Sequence, residues 1–160
     1  MKKFSSITAL LLILLATYWS YEVLMPSYSE GKGDTPLGNF SISKALEHVK
    51  QISQKPHGVG FEAHREVRGY IVSELEKLGL ETSLQEGYTA GDWGNLSKAI
   101  NILARIKGSE SGKALLLLSH YDSSPHSSLG ASDAGSGVAT ILEGIRAFLS
   151  ENPNPFGVNV

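Results

Sequence analysis

The sequence predicts an α/β domain behind one apolar N-terminal helix, on three observations. An uncharged stretch from Phe4 to Tyr21 follows Lys2 and Lys3. Three later segments carry apolar residues at helical spacing. Between them lie short runs that alternate, as in Ile100, Ile102, Ala104 and Ile106, or are continuously apolar, as in Ala114 to Leu118. Composition agrees: 41% hydrophobic and 19% charged residues over 160 positions describe one globular domain and not a disordered chain.

The N-terminal stretch is centred on Leu10 to Leu15 and is just long enough to span a bilayer, which takes about 20 apolar residues with a lower limit near 17. Tyr18, Trp19 and Tyr21 cluster at its far end, where amphipathic rings favour the headgroup region. The two lysines favour the cytoplasmic side and send the remainder outward. A cleaved signal peptide shares the basic start and short apolar core, but Ala16-Thr17-Tyr18 is a poor cleavage site, so an uncleaved anchor is favoured. We read 1–25 as signal anchor or transmembrane helix, ended by Met25-Pro26, and 26–40 as a linker with Gly31, Gly33, Gly38 and Pro36.

Residues 41–160 form the domain. Ser41 or Ser43 caps a helix with Ala45, Leu46, Val49 and Ile52 on its apolar face. Pro56-His57-Gly58-Val59-Gly60 reads as a turn. The next helix aligns Val67, Tyr70, Ile71, Leu75 and Leu78, and Gly79 sits where a C-cap glycine belongs. Leu80 to Leu84 reads as a short strand, Glu86 to Lys98 as a glycine-rich loop, and Ala99 to Lys107 as a second strand. Ala114 to Leu118 reads as a strand covered on both faces. A polar loop from Ser119 to Ser132 leads into a helix with Val138, Ile141, Leu142, Ile145 and Leu149. A further buried strand is expected to begin near Phe156, so the domain is expected to continue beyond Val160.

Charge and cysteine content exclude several functions. The 14 basic and 16 acidic residues balance to a net charge of -2, which implies no polyanion-binding surface and no nucleic-acid partner. Cysteine is absent, so thiolate metal sites, disulfides and cysteine nucleophiles are excluded, while His and carboxylate metal sites are not.

Chemistry concentrates after the third strand. Ser119-His120-Tyr121-Asp122 leaves that strand's carboxyl end, where ligand sites lie in open α/β sheets. Gly130-Ala131-Ser132-Asp133-Ala134-Gly135-Ser136-Gly137 then precedes a helix. An imidazole and a carboxylate converging there can bind zinc. Of His120 and Asp122, one can ligate while the other steadies the imidazole's second nitrogen. Asp133 taken alone could be a helix N-cap carboxylate.

These residues resemble the first two signatures of peptidase family M28, the co-catalytic two-zinc aminopeptidases and carboxypeptidases with their glutaminyl cyclase relatives. The resemblance rests on His120-Tyr121-Asp122-Ser123 and on Gly130 to Ala139 followed by Leu142-Glu143. Pro56 to Gly60, the Tyr70 to Leu80 helix and Asn101 to Gly108 add to it, so that it covers about 41–160. The apolar N-terminus is most similar to the membrane-bound branch, such as the endoplasmic-reticulum and vacuolar-membrane metalloproteases. The resemblance implies a three-layer sandwich with a mostly parallel, mixed central sheet, incomplete in this chain. It also implies two zinc ions in the intact site, with His120 ligating one, Asp133 bridging both, and Asp122 behind His120. Zinc-dependent removal of N-terminal residues from peptide or protein substrates would follow, by a domain tethered to the membrane on its non-cytoplasmic side. The family's Glu-Glu pair (general base and ligand), a later acidic ligand and a final His are not found here; the pair is expected beyond Val160. Glu143 does not match the family's ligand position. Oligomeric state is not legible.

Rival readings weigh less. Relatives resembling transferrin-receptor ectodomains have lost their metals and serve as binding modules, but His120, Asp122 and Asp133 are retained here. Ser132 as a hydrolase nucleophile lacks the strand that an elbow requires directly before it. Gly135-Ser136-Gly137 lacks the Lys-Ser/Thr ending of a phosphate loop. His48 and His64 are expected on the surface and His57 and His126 in loops, with His126 within reach of the site. Trp93 is expected to be packing. Asn39-Phe40-Ser41 and Asn95-Leu96-Ser97 are acceptor sequons.

Overall fold

A computed structural model of the chain describes residues 2–25, 35–91, 96–108, 113–126 and 128–152, with side chains from Ser6 onward. Trp93, the centre of the linker and the segment from Phe156 lie outside the described residues. The chain divides into two compact units, Met1–Glu30 and Gly31–Val160.

The first unit is helix α1, Lys2–Leu24, which stops immediately before Met25-Pro26 as expected. Its 23 residues give a length of about 34 Å at about 1.5 Å per residue. Residues Ser6–Leu24 have a mean hydropathy of 1.7 and are 0% buried. Thr17, mid-helix, turns its hydroxyl back to the Ile13 carbonyl at 2.8 Å, which satisfies that polar group within the helix.

The second unit begins with α2, Ile42–Ile52, capped by Ser41, whose side chain accepts from the Lys44 N–H at 3.4 Å. Helix α3, Glu62–Lys77, ends as Gly79 predicts. Gly79 has φ +80, its N–H donates to the Glu76 carbonyl, and the Leu80 N–H donates to Leu75. That is the paired bonding of a Schellman cap, with Leu75 and Leu80 both buried beside it.

Strands β1, Thr82–Ala90, and β2, Leu96–Ala104, form an antiparallel ribbon with Leu84 opposite Ile102 and Gln85 opposite Asn101. Both run further toward the connecting loop than expected, because cross-strand polar pairs sustain the ladder where the sequence looks loop-like. Lys98 pairs with Glu86 at 2.6 Å, and the Asn101 amide donates to Gln85 at 3.0 Å. Of the expected alternation, Ile100, Ile102 and Ile106 are partly covered with Asn101 and Leu103 exposed, but Ala104 is exposed as well and breaks the pattern at the end of β2.

An irregular turn over 131–135 leads into α4, Ser136–Glu151. The core is Ile52 of α2, Val67, Ile71 and Leu75 of α3, Leu80, and Val138 and Leu142 of α4, flanked by Tyr70, Ile102, Tyr121 and Ile145.

One expected strand does not form. Residues 114–118 join no ladder among the described residues, and Leu115, Leu116, Leu117 and Leu118 are 86, 76, 57 and 77% exposed. An apolar run becomes a buried strand only when neighbours pair with its backbone and cover its faces. Among the described residues β2 pairs with β1 alone.

Candidate metal centre

The site is built where the 119–124 loop meets the 130–135 turn. Ser119, just after the leucine run, orients the start: its hydroxyl lies 3.1 Å from the His120 carbonyl and 3.3 Å from that of Ala134. Gly137 leaves room for it, since a Cβ there would sit 2.5 Å from the Ser119 oxygen. The turn is closed by the Gly135 N–H donating to the Gly130 carbonyl at 2.8 Å. Gly130 itself adopts φ +65, a left-handed conformation that suits glycine. Asp133 and Ala134 depart from helical dihedrals, and the peptide bond between them is cis.

These two segments bring His120 and Asp133 together. His120 Nε2 lies 2.9 Å from Asp133 Oδ1, and His120 Nδ1 lies 3.0 Å from Asp122 Oδ1. Asp133 is not the helix cap: α4 begins at Ser136 behind Gly135, with no side-chain capping bond, and the Asp133 side chain is 88% exposed. Ser132 is exposed within the irregular turn, with no strand directly before it among the described residues, and its carbonyl accepts from Ser136 Oγ. Glu143 is fully buried, bound to Arg146 and to the Ser41 N–H, and so serves the core and not the metal centre.

Both nitrogens of His120 face carboxylate oxygens. A neutral imidazole carries one N–H and can donate to only one of them. The second contact is closed either by a second proton or by a cation. Burial opposes the charged form, but the hydrogen bonds that the ring donates to Asp133 and then to Asp122 outweigh it and raise the His120 pKa above the usual histidine value.

The donor chemistry fits zinc. Imidazole nitrogen and carboxylate oxygen are both zinc ligands, and two ligands on one tetrahedral zinc sit about 3.3 Å apart for bonds of about 2.0–2.1 Å. The His120–Asp133 pair is within a few tenths of an ångström of that spacing. Asp122 holds Nδ1, leaving Nε2 for a metal, the arrangement that fixes the tautomer in histidine zinc sites. Among the described residues no group of three or more His, Asp or Glu side chains converges as a metal-holding set.

Histidines expected to be peripheral line the back of this site. His64 is 6% exposed, not on the surface, and its ring stacks on Tyr121 with centroids 4.5 Å apart and an interplanar angle of 2°. The register shows why: His64 lies three residues before Val67 and seven before Ile71, on the buried stripe of α3. Burial chiefly lowers its pKa, against the Asp122 charge, so the ring stays neutral where it stacks. Tyr121 anchors the other side by donating its hydroxyl to the Ile100 carbonyl of β2 at 2.7 Å. His57 is 1% exposed and pairs with Ser123, which is 2% exposed. His48 is half-buried, 2.6 Å from the Tyr70 hydroxyl, while His126 is exposed.

This fold and site define a class. Residues 101–160 match the sequence profile of peptidase family M28, and the chain belongs to that family. Among its relatives, a vacuolar membrane protease of Candida dubliniensis is 34% identical over 129 residues, 74% of this chain and 14% of the relative. A vacuolar membrane protease of Candida tropicalis is 30% identical over 165 residues, 92% of this chain and 18% of the relative. Of solved structures, Porphyromonas gingivalis glutaminyl cyclase superposes with a TM-score of 0.62 at 30% identity, covering 71% of this chain and 40% of that one. A Zn-dependent exopeptidase from Parabacteroides distasonis superposes with a TM-score of 0.55 at 22% identity, covering 75% and 45%; that likeness is one of fold. The chain thus spans less than a fifth of the two proteases and under half of the two structures.

Proposed function

We propose that the full-length product carrying this sequence is a membrane-tethered zinc metallopeptidase that removes N-terminal residues from peptides. In this reading 1–25 is an uncleaved anchor, 26–40 a linker, and 41–160 the first part of a three-layer peptidase domain on the non-cytoplasmic side. His120 and Asp133 would be the residues of this chain that hold zinc, and Asp122 would position His120. The observation that carries it is the convergence of His120 and Asp133 at 2.9 Å with Asp122 on the far nitrogen. Family membership and the relatives named as vacuolar membrane proteases support it.

Zinc would supply Lewis acidity toward a scissile carbonyl and bring the pKa of a water toward neutrality. The chain's own residues hold and tune that centre. Asp122 keeps the His120 proton on Nδ1 and makes Nε2 the more basic donor. Asp133, exposed and on a turn, presents a carboxylate outward from the fold. His64 and Tyr121 exclude water from behind the loop.

The likeness to the Porphyromonas glutaminyl cyclase at 30% identity favours one second reading, cyclisation of an N-terminal glutamine. The test is zinc analysis of the full-length product beside two assays, aminoacyl-amide hydrolysis and ammonia release from an N-terminal glutaminyl peptide. Hydrolysis with bound zinc is expected. His120→Ala and Asp133→Ala should each lose zinc and activity together, by about two orders of magnitude or more, since each removes a ligand outright and residues that merely orient ligands are worth about 10- to 100-fold. Activity surviving both substitutions overturns the metal reading. Ammonia release without hydrolysis selects the cyclase, and a folded product with neither zinc nor turnover selects a metal-free binding module.

A further inference from the structure

We infer that His57 and Ser123 form a positioning clamp that sets the spacing of His120 and Asp133; this rests on the zinc reading above. The 55–58 turn is far from the site in sequence, yet the His57 N–H donates to Ser123 Oγ at 2.8 Å across a separation of 66 residues. In return the Ser123 N–H donates to the His57 carbonyl at 3.3 Å. Both residues are almost fully buried, so water cannot replace either bond.

The His57 ring extends the clamp to the second ligand. Its Nδ1–H donates to the Lys55 carbonyl at 2.9 Å, which fixes the ring and turns its opposite edge toward Gly130. A Cβ on Gly130 would sit 2.9 Å from Ser123 Cβ and 3.1 Å from His57 Cε1, so the Gly130 backbone packs directly on the Ser123 and His57 side chains with no room for a side chain of its own. Gly58 repeats the pattern, a Cβ there lying 3.2 Å from Pro125 Cα. One turn therefore grips the chain next to Asp122 and again three residues before Asp133. It fixes both ends of the 13-residue span that separates the two ligands. Neither His57 nor Ser123 bonds to His120 or Asp133 in this geometry; they act through the backbone that carries them.

The test uses the full-length product and cobalt(II) as probe, titrated well below the unfolding temperature and read by its visible spectrum. Ser123→Ala removes the acceptor for the His57 N–H. His57→Asn keeps a donor toward Lys55 but withdraws the ring edge from Gly130. Each variant is expected to weaken cobalt binding about 10- to 100-fold, the range for residues that orient metal ligands, and to change the spectrum. Leu75→Ala, in the core under α3, serves as control: it lowers the melting temperature but should leave affinity and spectrum unchanged. Wild-type affinity and spectrum in whichever clamp variants fold, or an equal loss in the core control, overturns the clamp. Wild-type protein that takes up no cobalt overturns the zinc reading and the clamp together.

Discussion

His120 is held between two carboxylates, and that arrangement decides what each substitution does. Asp122 reaches the proposed metal site through the His120 ring, so Asp122→Asn should leave the fold intact while weakening the preference for a proton on Nδ1. Zinc affinity is then expected to fall about 10- to 100-fold, measured by competition with a chromophoric chelator; unchanged affinity would remove Asp122 from the metal centre. That His120, Asp122 and Asp133 meet was legible in the sequence, because motif order and spacing bring the two segments together. His57, Ser123 and His64 were not, and for different reasons. His64 could have been found, since Val67 and Ile71 place it on the buried stripe of α3, but its polar neighbours Arg65 and Glu66 masked the register. The His57–Ser123 bond joins residues 66 apart, and no local pattern encodes such a contact.

At the scale of elements, helices were read more closely than strands. Caps and stripes are written within one segment, as Ser41 and Gly79 show, whereas a strand depends on partners elsewhere in the chain. The β1–β2 ribbon extended into loop-like sequence because Glu86 found Lys98, and among the described residues the leucines at 115–118 found no ladder. Helix α4 illustrates a tie that no periodicity announces. Glu143, wholly buried, accepts from Arg146 and from the Ser41 N–H at 2.7 Å, while Arg146 also donates to the carbonyls of Leu37 and Asn39. The end of the linker is thereby fastened to α4. Arg146→Ala strands a buried carboxylate and should cost about 3 kcal/mol, seen as a lower midpoint in urea. Burial raises the Glu143 pKa, but the bonds from Arg146 and Ser41 prevail and the net value is lowered. The folded state therefore binds the proton more weakly than the unfolded chain. Its contribution is complete above the unfolded value of about 4.3 and disappears as pH falls through the lower folded value. Glu143→Gln should flatten the stability profile over that acid window; a profile as steep as the wild type's would place the linkage elsewhere.

For the whole molecule, the two compact units differ in what they bury. The second has a core and polar ties of its own. The first is one helix whose described side chains are all exposed, an arrangement that water does not favour for Leu10 to Leu15, each more than half exposed. Under the proposed anchor reading a bilayer about 30 Å thick in its hydrocarbon core would resolve that conflict, because α1, at about 34 Å and with its backbone bonds made internally, is long enough to cross it. The α1 sequence centres on Leu12, and arginine at a membrane-helix centre costs about 2.5–3.5 kcal/mol on insertion scales. Since the span is short and of moderate hydropathy, Leu12→Arg should shift the product from the carbonate-resistant membrane fraction to the soluble fraction by about 100-fold at that cost. Leu37→Arg, exposed in the second unit, should shift nothing. An intact N-terminus on the membrane-bound product is expected alongside. Recovery of the wild type from the soluble fraction, with its N-terminus beginning after the helix, would mean that α1 is removed as a signal and that the domain leaves the membrane.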